Sequence, residues 1–345
     1  MLDKSHYTID LRGALFATAL ALCASAFATI TQAVAQESSV LRINTFPNAT
    51  NLALFIGEAN GVFVKRGLKL DVEFTQNSED QRNKLAAGRV DLAYSAVDNA
   101  VAMVELASHD VIIVTGGDTS MMEFVTRPEI TALTDMRGRT LVVDRANTAY
   151  ALQAKKILKS AGLLSGRDYA LKEVGATLAR IAAMESGADN VAAGMLNPPF
   201  SFAAKDKGLK SFGRAVDLIG PYQGGGFFVM RTWARANGAV LERFIAAYIE
   251  ATRMALAPAN RAQAIELIAA RLKQSPALAA RTYDEALTQP RFGLVPDARL
   301  DLQGFNAVLS LRAEIEGQWA GVAPAVDRYI DTGYFERALK SIEAR

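Results

Sequence analysis

Apolar and polar residues alternate through Val40-Leu41-Arg42-Ile43-Asn44-Thr45, and a period of two predicts a strand with one face toward a core. Phe46-Pro47-Asn48-Ala49-Thr50-Asn51 then turns the chain into a helix that runs through Ile56 and Ala59 and stops at Asn60-Gly61. The alternation returns over Leu68 to Phe74, is followed by a helical segment from Asp80 to Ala87 closed by Gly88, and returns again over Val90 to Tyr94. A helix starting near Asp98 and a strand from His109 to Thr115 complete a first set. Strand and helix taking turns in this way predict an α/β fold with a mainly parallel sheet covered by helices.

The same theme restarts further on. Thr140 to Asp144 reads as a strand, Asn147-Thr148 as the cap of a helix from Ala149 to Ala161, and Gly162 as its end. Tyr169 to Val174, a helix from Leu178 to Glu185, Val191 to Leu196, a helix from Phe200 to Lys207, and Leu209 to Phe212 follow. Gly226 to Met230 reads as a strand returning to the first set, and from Ala239 onward the spacing of Leu241, Phe244, Ile245, Tyr248 and Ile249 predicts helices laying one face on the first lobe. The expected organisation is therefore two lobes, residues 36–125 with 225–345 and an inserted 126–224. Two chain crossings make a hinge, and a hinge makes a cleft that can close on a small molecule. Three glycines at the second crossing, Gly224-Gly225-Gly226, suit the φ/ψ changes of a hinge and lack the helix and Lys of a phosphate loop.

Ahead of this pattern, Lys4 and Arg12 precede an apolar run from Gly13 to Ile30, and Ala33-Val34-Ala35 gives a small-x-small site before Gln36. This predicts a secretory signal peptide over residues 1–35 cleaved after Ala35; an uncleaved anchor is the alternative, the run being at the lower edge of a membrane span. A lipid-modified Cys23 is disfavoured because Leu22 directly precedes it, where such sites carry a small residue. Removal of the leader takes the single Cys and His6 with it and leaves His109 as the one histidine, which excludes disulfides and Cys/His metal sites. The net charge of +2 over 345 residues gives no electrostatic case for nucleic acid. The 50% hydrophobic and 21% charged composition is that of a packed globular chain.

Four stretches carry a family likeness. Asp135 to Asp144 followed by Asn147-Thr148-Ala149-Tyr150, Gly57 to Leu68, Leu85 to Ala93, and Ala193 to Phe200 with its Pro198-Pro199 turn together resemble the nitrate/sulfonate/taurine-type substrate-binding proteins of ABC importers, over most of residues 40–235. The family's second lobe carries a G-x-x-D-A before the Pro-Pro turn; here Gly187-Ala188-Asp189-Asn190-Val191 interrupts it, and the Asp is not carried over. The resemblance implies the two-lobe periplasmic-binding-protein fold of type II, a small-molecule solute, an inner-membrane ABC permease as partner, a monomer, a periplasmic location and no cofactor or metal.

Ligands in open α/β sheets sit beyond the carboxyl ends of the strands, against helix N-termini. The positions that follow the strands are the candidates: Thr45, Phe46, Ser95, Asp98, Asn99, Asp118, Asn147, Thr148, Tyr150, Thr177 and Asn197, with Tyr222 at the second crossing. Tyr94 and Phe200 could add flat walls. Arg145 and Arg180 could pair with an anion but read as exposed helix-end charges, whereas Asp98 would favour a cationic or N–H-rich ligand. The expected solute is an organic anion, a sulfonate or carboxylate, aromatic ones included. The alternatives are a thiamine-pathway pyrimidine, an enzyme on the same fold, and a ligand-sensing domain for a membrane kinase. The enzyme reading, which the resemblance connects with a pyrimidine-forming thiamine synthase that consumes a histidine and a bound pyridoxal phosphate, needs a histidine in the cleft. His109 instead starts a strand, at the opposite end from the site.

Overall fold

The computed structural model describes residues 38–344; the expected leader, its cleavage site, Cys23 and His6 lie outside these residues. Strand β1 (Ser39–Thr45) buries Leu41 and Ile43 and exposes Val40 and Arg42, as its alternation requires, and is covered on both faces from Asn44 on. It is followed by α1 (Leu52–Ala59), β2 (Leu68–Phe74), α2 (Ser78–Ala86), β3 (Leu92–Ala96), α3 (Asp98–Ala107) and β4 (Val111–Ile113). The Asn77 side chain caps α2 by accepting from the Asp80 N–H at 2.9 Å. The second series is β5 (Glu123–Thr126), β6 (Thr140–Val143), α4 (Ala149–Ser160), β7 (Ala170–Glu173), α5 (Thr177–Ser186), β8 (Val191–Leu196), α6 (Phe200–Asp206), β9 (Lys210–Arg214) and α7 (Ala215–Ile219). Strand β10 (Gly225–Met230) follows, then α8 (Arg231–Ala236), α9 (Gly238–Leu256), α10 (Arg261–Leu272), α11 (Pro276–Thr282), α12 (Leu302–Glu316) and α13 (Gly333–Glu343).

The strands form two five-stranded sheets on one plan, β2-β1-β3-β10-β4 and β7-β6-β8-β5-β9. In the first, β1 runs parallel to β2 and β3, while β10 is antiparallel to β3 and β4. In the second, β6 runs parallel to β7 and β8, while β5 is antiparallel to β8 and β9. The reversed strand of each sheet is the one that arrives from the other sheet, so it needs no helical crossover to set its direction. Because Glu123–Thr126 already pairs with Leu196 to Ala193 of β8, the first passage between the sheets precedes Glu123. The boundary expected at Thr126, ahead of Pro128, is corrected accordingly.

The first sheet packs on α1 and α9, and Phe227 of β10 meets Phe244, Tyr248 and Tyr94 with ring centroids 4.9 Å apart in each case. Only part of the helical tail follows the expected packing on the first lobe. Helix α12 sends Phe305, Val308 and Leu309 into an apolar cluster that holds Leu141, Val143 and Leu152 of the second unit beside Val97 and Val101 of the first. Its Glu316 and Glu314 pair with Lys155 and Lys156 of α4 at 2.8 and 2.5 Å. The two lobes are thus joined by two chain crossings and by a helix that belongs to both. Among the described residues no helix is long and apolar enough to cross a membrane.

Candidate functional site

The carboxyl ends of the two sheets face each other, and a narrow cavity of about 30 Å³ opens where they meet the chain crossings, or about 450 Å³ when gaps between atoms and the open solvent at its mouth are counted. Its walls are Phe46, Asn48, Thr50, Tyr94, Ser95, Ala96 and Asn99 from the first sheet's loops, Tyr150 and Asn197 from the second's, and Asp118, Met121, Met122, Gly224 and Gly225 from the crossings. Thr45 builds this wall from behind. Its hydroxyl donates to Asn51 Oδ1 at 2.9 Å, and Asn51 Nδ2 in turn holds the Phe46 carbonyl at 2.6 Å, which fixes the turn that carries the Phe46 ring.

Asp118 staples the two crossings together. Its Oδ1 accepts from the Ser120 N–H on one crossing and its Oδ2 from the Gly225 N–H on the other, both at 2.9 Å, with the Tyr94 hydroxyl at 3.3 Å. Gln223 Nε2 donates to the Asp118 and Gly225 carbonyls. Burial raises the Asp118 pKa, and these donors hold it back. None of Gly224, Gly225 and Gly226 lies in the left-handed region. These glycines are needed for space: a Cβ on Gly225 would stand 2.5 Å from Asp118 Oδ2 and 2.7 Å from the Tyr94 hydroxyl. Gly225→Ala should therefore cost about 1–3 kcal/mol by overpacking, read as a lowered thermal midpoint; an unchanged midpoint would show that the crossings have slack.

A chain of hydrogen bonds sets which atoms of the lining side chains are paired and which are not. Gln81 Nε2 is committed to the Asn44 and Tyr94 carbonyls, so its Oε1 accepts from the Ser95 hydroxyl at 2.6 Å. Ser95 Oγ then accepts from Asn99 Nδ2 at 3.1 Å, which leaves Asn99 Oδ1 buried without a partner. Across the cavity Asn197 Nδ2 donates to the Tyr150 hydroxyl at 2.7 Å, and Asn197 Oδ1 is likewise buried and unpaired. The Tyr150 hydroxyl, being an acceptor in that bond, keeps its own proton to donate. Among the residues that line the cavity, Asn99 and Asn197 thus each keep a buried amide oxygen without a partner, and Tyr150 keeps a hydroxyl proton.

A family model described as NMT1/THI5 like matches residues 48–262. The chain belongs to the NMT1/THI5-like family. A comparison with curated proteins found no match. Among solved structures, the chain is similar to the periplasmic nitrate-binding protein NrtA of Synechocystis PCC 6803, with 11% identity, 90% of each chain covered and a TM-score of 0.74. It is also similar to the periplasmic aliphatic sulphonate-binding protein SsuA of Escherichia coli, at 18% identity, 86% of this chain and 99% of that one, TM-score 0.66. A third is a mutant of DSZB in complex with biphenyl-2-sulfinic acid, at 14% identity, 88% of this chain and 99% of that one, TM-score 0.61. At these identities the likeness shows the periplasmic-binding-protein fold.

In this NMT1/THI5-like chain the cations sit where they cannot meet a ligand in the cavity directly. Arg180, read from sequence as an exposed helix-end charge, is 1% exposed. It donates to the Met195 and Gly175 carbonyls and to Thr177 Oγ1, and lies 4.5 Å over the Tyr150 ring. Burial lowers its pKa, and Tyr150 and Asp144 pull it back up. Arg145 lines a larger outer chamber but is paired with Glu79 and Glu173. The N-terminus of α2 is also engaged: the buried Asp144 carboxylate, from the end of β6, accepts from the Ser78 N–H at 3.1 Å and from the Ser78 hydroxyl.

Of the positions chosen from sequence, Phe46, Ser95, Asn99, Asp118, Tyr150 and Asn197 come together around the inner cavity. Thr45 supports it and Thr177 lines the outer chamber. Four lie elsewhere. Asp98 is locked in a fully buried ion pair with Arg312. Asn147 gives its carbonyl to Arg312 and turns its amide to Arg82, on a surface hollow that also includes His109. Thr148 Oγ1 donates to the Arg145 carbonyl, and Tyr222 packs in the core. Asp189, left aside as a family residue, pairs on the surface with Lys172 at 2.5 Å. The ends of β1, β2 and β8 were read correctly and β5 was not read as a strand, but sequence does not say which neighbour a buried carboxylate will find. Met121 and Met122 were missed because the stretch between Gly117 and Phe124 has no periodicity to read. Among the described residues no three His, Cys, Asp or Glu side chains gather as metal ligands.

Proposed function

We propose that the chain is a periplasmic solute receptor that closes on a small, flat, uncharged solute bearing N–H donors and presents it to an inner-membrane ABC permease. The observation that carries this reading is the pair of unpaired amide oxygens, Asn99 Oδ1 and Asn197 Oδ1, contributed by opposite lobes to one cavity. Each costs free energy until a donor reaches it, so a solute that satisfies both favours the state in which the lobes are together. Phe46, Tyr94 and Tyr150 supply planar walls. Support for a neutral solute over the expected organic anion comes from the charges: the cavity is lined by the Asp118 carboxylate and by no Lys, Arg or His, and α2's N-terminus is held by Asp144. Pyrimidines, the alternative implied by the family resemblance, belong to this chemical class.

The lining also favours binding over catalysis. The Ser95 proton is directed to Gln81, and Asp98, which could have served as its partner, is bound to Arg312, so the Ser95–Asp98 pair of nucleophile and base is not assembled. The test is a thermal-shift screen of residues 36–345 against uracil, cytosine and benzamide on one side and methanesulfonate, benzoate and nitrate on the other. A ligand at about 100 times its Kd stabilises by about 2.7 kcal/mol. Stabilisation by the neutral compounds is expected; a response confined to the anions would overturn the reading.

A further inference from the structure

Phe46 and Asn48 each face two hollows. Besides the inner cavity they line a second, larger chamber between the lobes, with about 1120 Å³ of space that includes its open side. Resting on the reading above, we infer that this outer chamber is a second subsite, which takes an uncharged alkyl or aryl tail of the solute whose polar head occupies the inner cavity.

The chamber lies at the carboxyl ends of β2 and β7, the edge strands of the two sheets, and so at corresponding places in the two lobes. One boundary is a direct bridge between lobes: the Ala176 N–H donates to the Gln76 carbonyl at 3.0 Å. Gly175 makes that approach possible, with φ at +89° and room for a Cβ only 3.3 Å from the same carbonyl. Apolar side chains form much of the remaining wall, Phe46, Pro47, Val174, Leu178 and Phe200. Leu178 is 60% exposed in the first turn of α5, a place where a core has no use for it and a bound apolar group has.

The charge at the rim points the same way. The Arg145 guanidinium is met by Glu79 at 3.0 Å and Glu173 at 3.5 Å, so an anionic tail would find the cation taken and two carboxylates nearby. A cationic tail would have to displace Arg145. What remains is an uncharged group, held by loss of its water contact, in a chamber that adjoins the head's across the shared Phe46 and Asn48 wall.

Isothermal titration of uracil, cytosine and benzamide against 5-hexyluracil, N4-hexylcytosine and 4-hexylbenzamide tests this. The hexyl compound of whichever head binds should be tighter by about fourfold for each methylene that leaves water. In Leu178→Asp, a substitution that an exposed first-turn position tolerates, the ratio of the two affinities should fall toward one. Equal affinities in the unsubstituted protein, or a ratio that survives Leu178→Asp, would overturn the subsite while leaving the head site standing. If none of the six binds, the reading of the inner cavity fails and the subsite fails with it.

Discussion

Replacing Arg312 with Leu is expected to cost about 3–5 kcal/mol of folding stability, the largest loss that a single side chain of this protein should give. Arg312 and Asp98 both have fully buried side chains. The guanidinium meets the carboxylate through Nε at 2.5 Å and Nη2 at 2.9 Å, while Nη2 also reaches the Asn147 carbonyl at 2.8 Å. Removing the cation strands a carboxylate at the first residue of α3 in a place where water does not reach. Asp98→Ala should be comparably harmful, since it strands the cation. The double change Asp98→Leu with Arg312→Met should recover much of the loss, because a buried pair replaced by apolar groups of similar volume is often neutral. Urea unfolding of the four proteins reads this directly, and a double variant as weak as either single one would show that the pair is a net source of stability. The placement matters for function as well. Asp98 belongs to the first lobe, Asn147 to the second and Arg312 to α12, so one side chain ties the helix to both halves of the hinge.

That tie explains where the sequence was legible and where it was not. Strand periodicity located β1, β2, β6 and β8 closely because one buried face leaves a two-residue mark that needs no knowledge of the partner. The loops after those strands could be named for the same reason, and Phe46, Tyr150 and Asn197 from them meet Ser95, Asn99 and Asp118 at the inner cavity. Direction of pairing leaves no such mark. The antiparallel setting of β5 and β10 depends on the sheet from which each strand arrives, and it moved the first passage between lobes to before Glu123. Charges were the least legible. Asp98 looked like a ligand-facing carboxylate and Arg180 like a surface cation, and both are buried on partners distant in sequence, Arg312 for one and the Met195 carbonyl for the other. The glycines of the second crossing were visible, but their purpose was not. A hinge and a close approach to Asp118 use the same residue type, and only the distance to the neighbouring carboxylate separates them.

Asp144→Ala is expected to give the cleft an affinity for anions that the proposed neutral-solute receptor lacks. In the unsubstituted protein the N–H and hydroxyl of Ser78, at the start of α2, point at the Asp144 carboxylate, so the partial positive charge of that helix end is spent within the protein. Asp144 is also the carboxylate whose charge helps to keep buried Arg180 protonated. Truncating it frees the Ser78 N–H and hydroxyl on one lobe, Asn77 still capping the helix, and removes from the buried Arg180 a carboxylate that supports its charge. Both deficits are repaired by a small anion. Fold stability should fall by about 1–3 kcal/mol through the freed donors. Methanesulfonate or nitrate should then restore part of it, with affinity raised by roughly 10- to 100-fold over the unsubstituted protein, the scale of one charge-assisted hydrogen bond. Asp144→Asn separates charge from hydrogen bonding: its amide oxygen can still cap Ser78, so it should gain little anion affinity from the helix end. The measurement is the thermal midpoint of the three proteins as methanesulfonate is titrated. If the Asp144→Ala protein shows no more response than the unsubstituted one, the carboxylate is not what keeps anions out, and the preference for a neutral solute must come from Asp118 and the two amide oxygens alone.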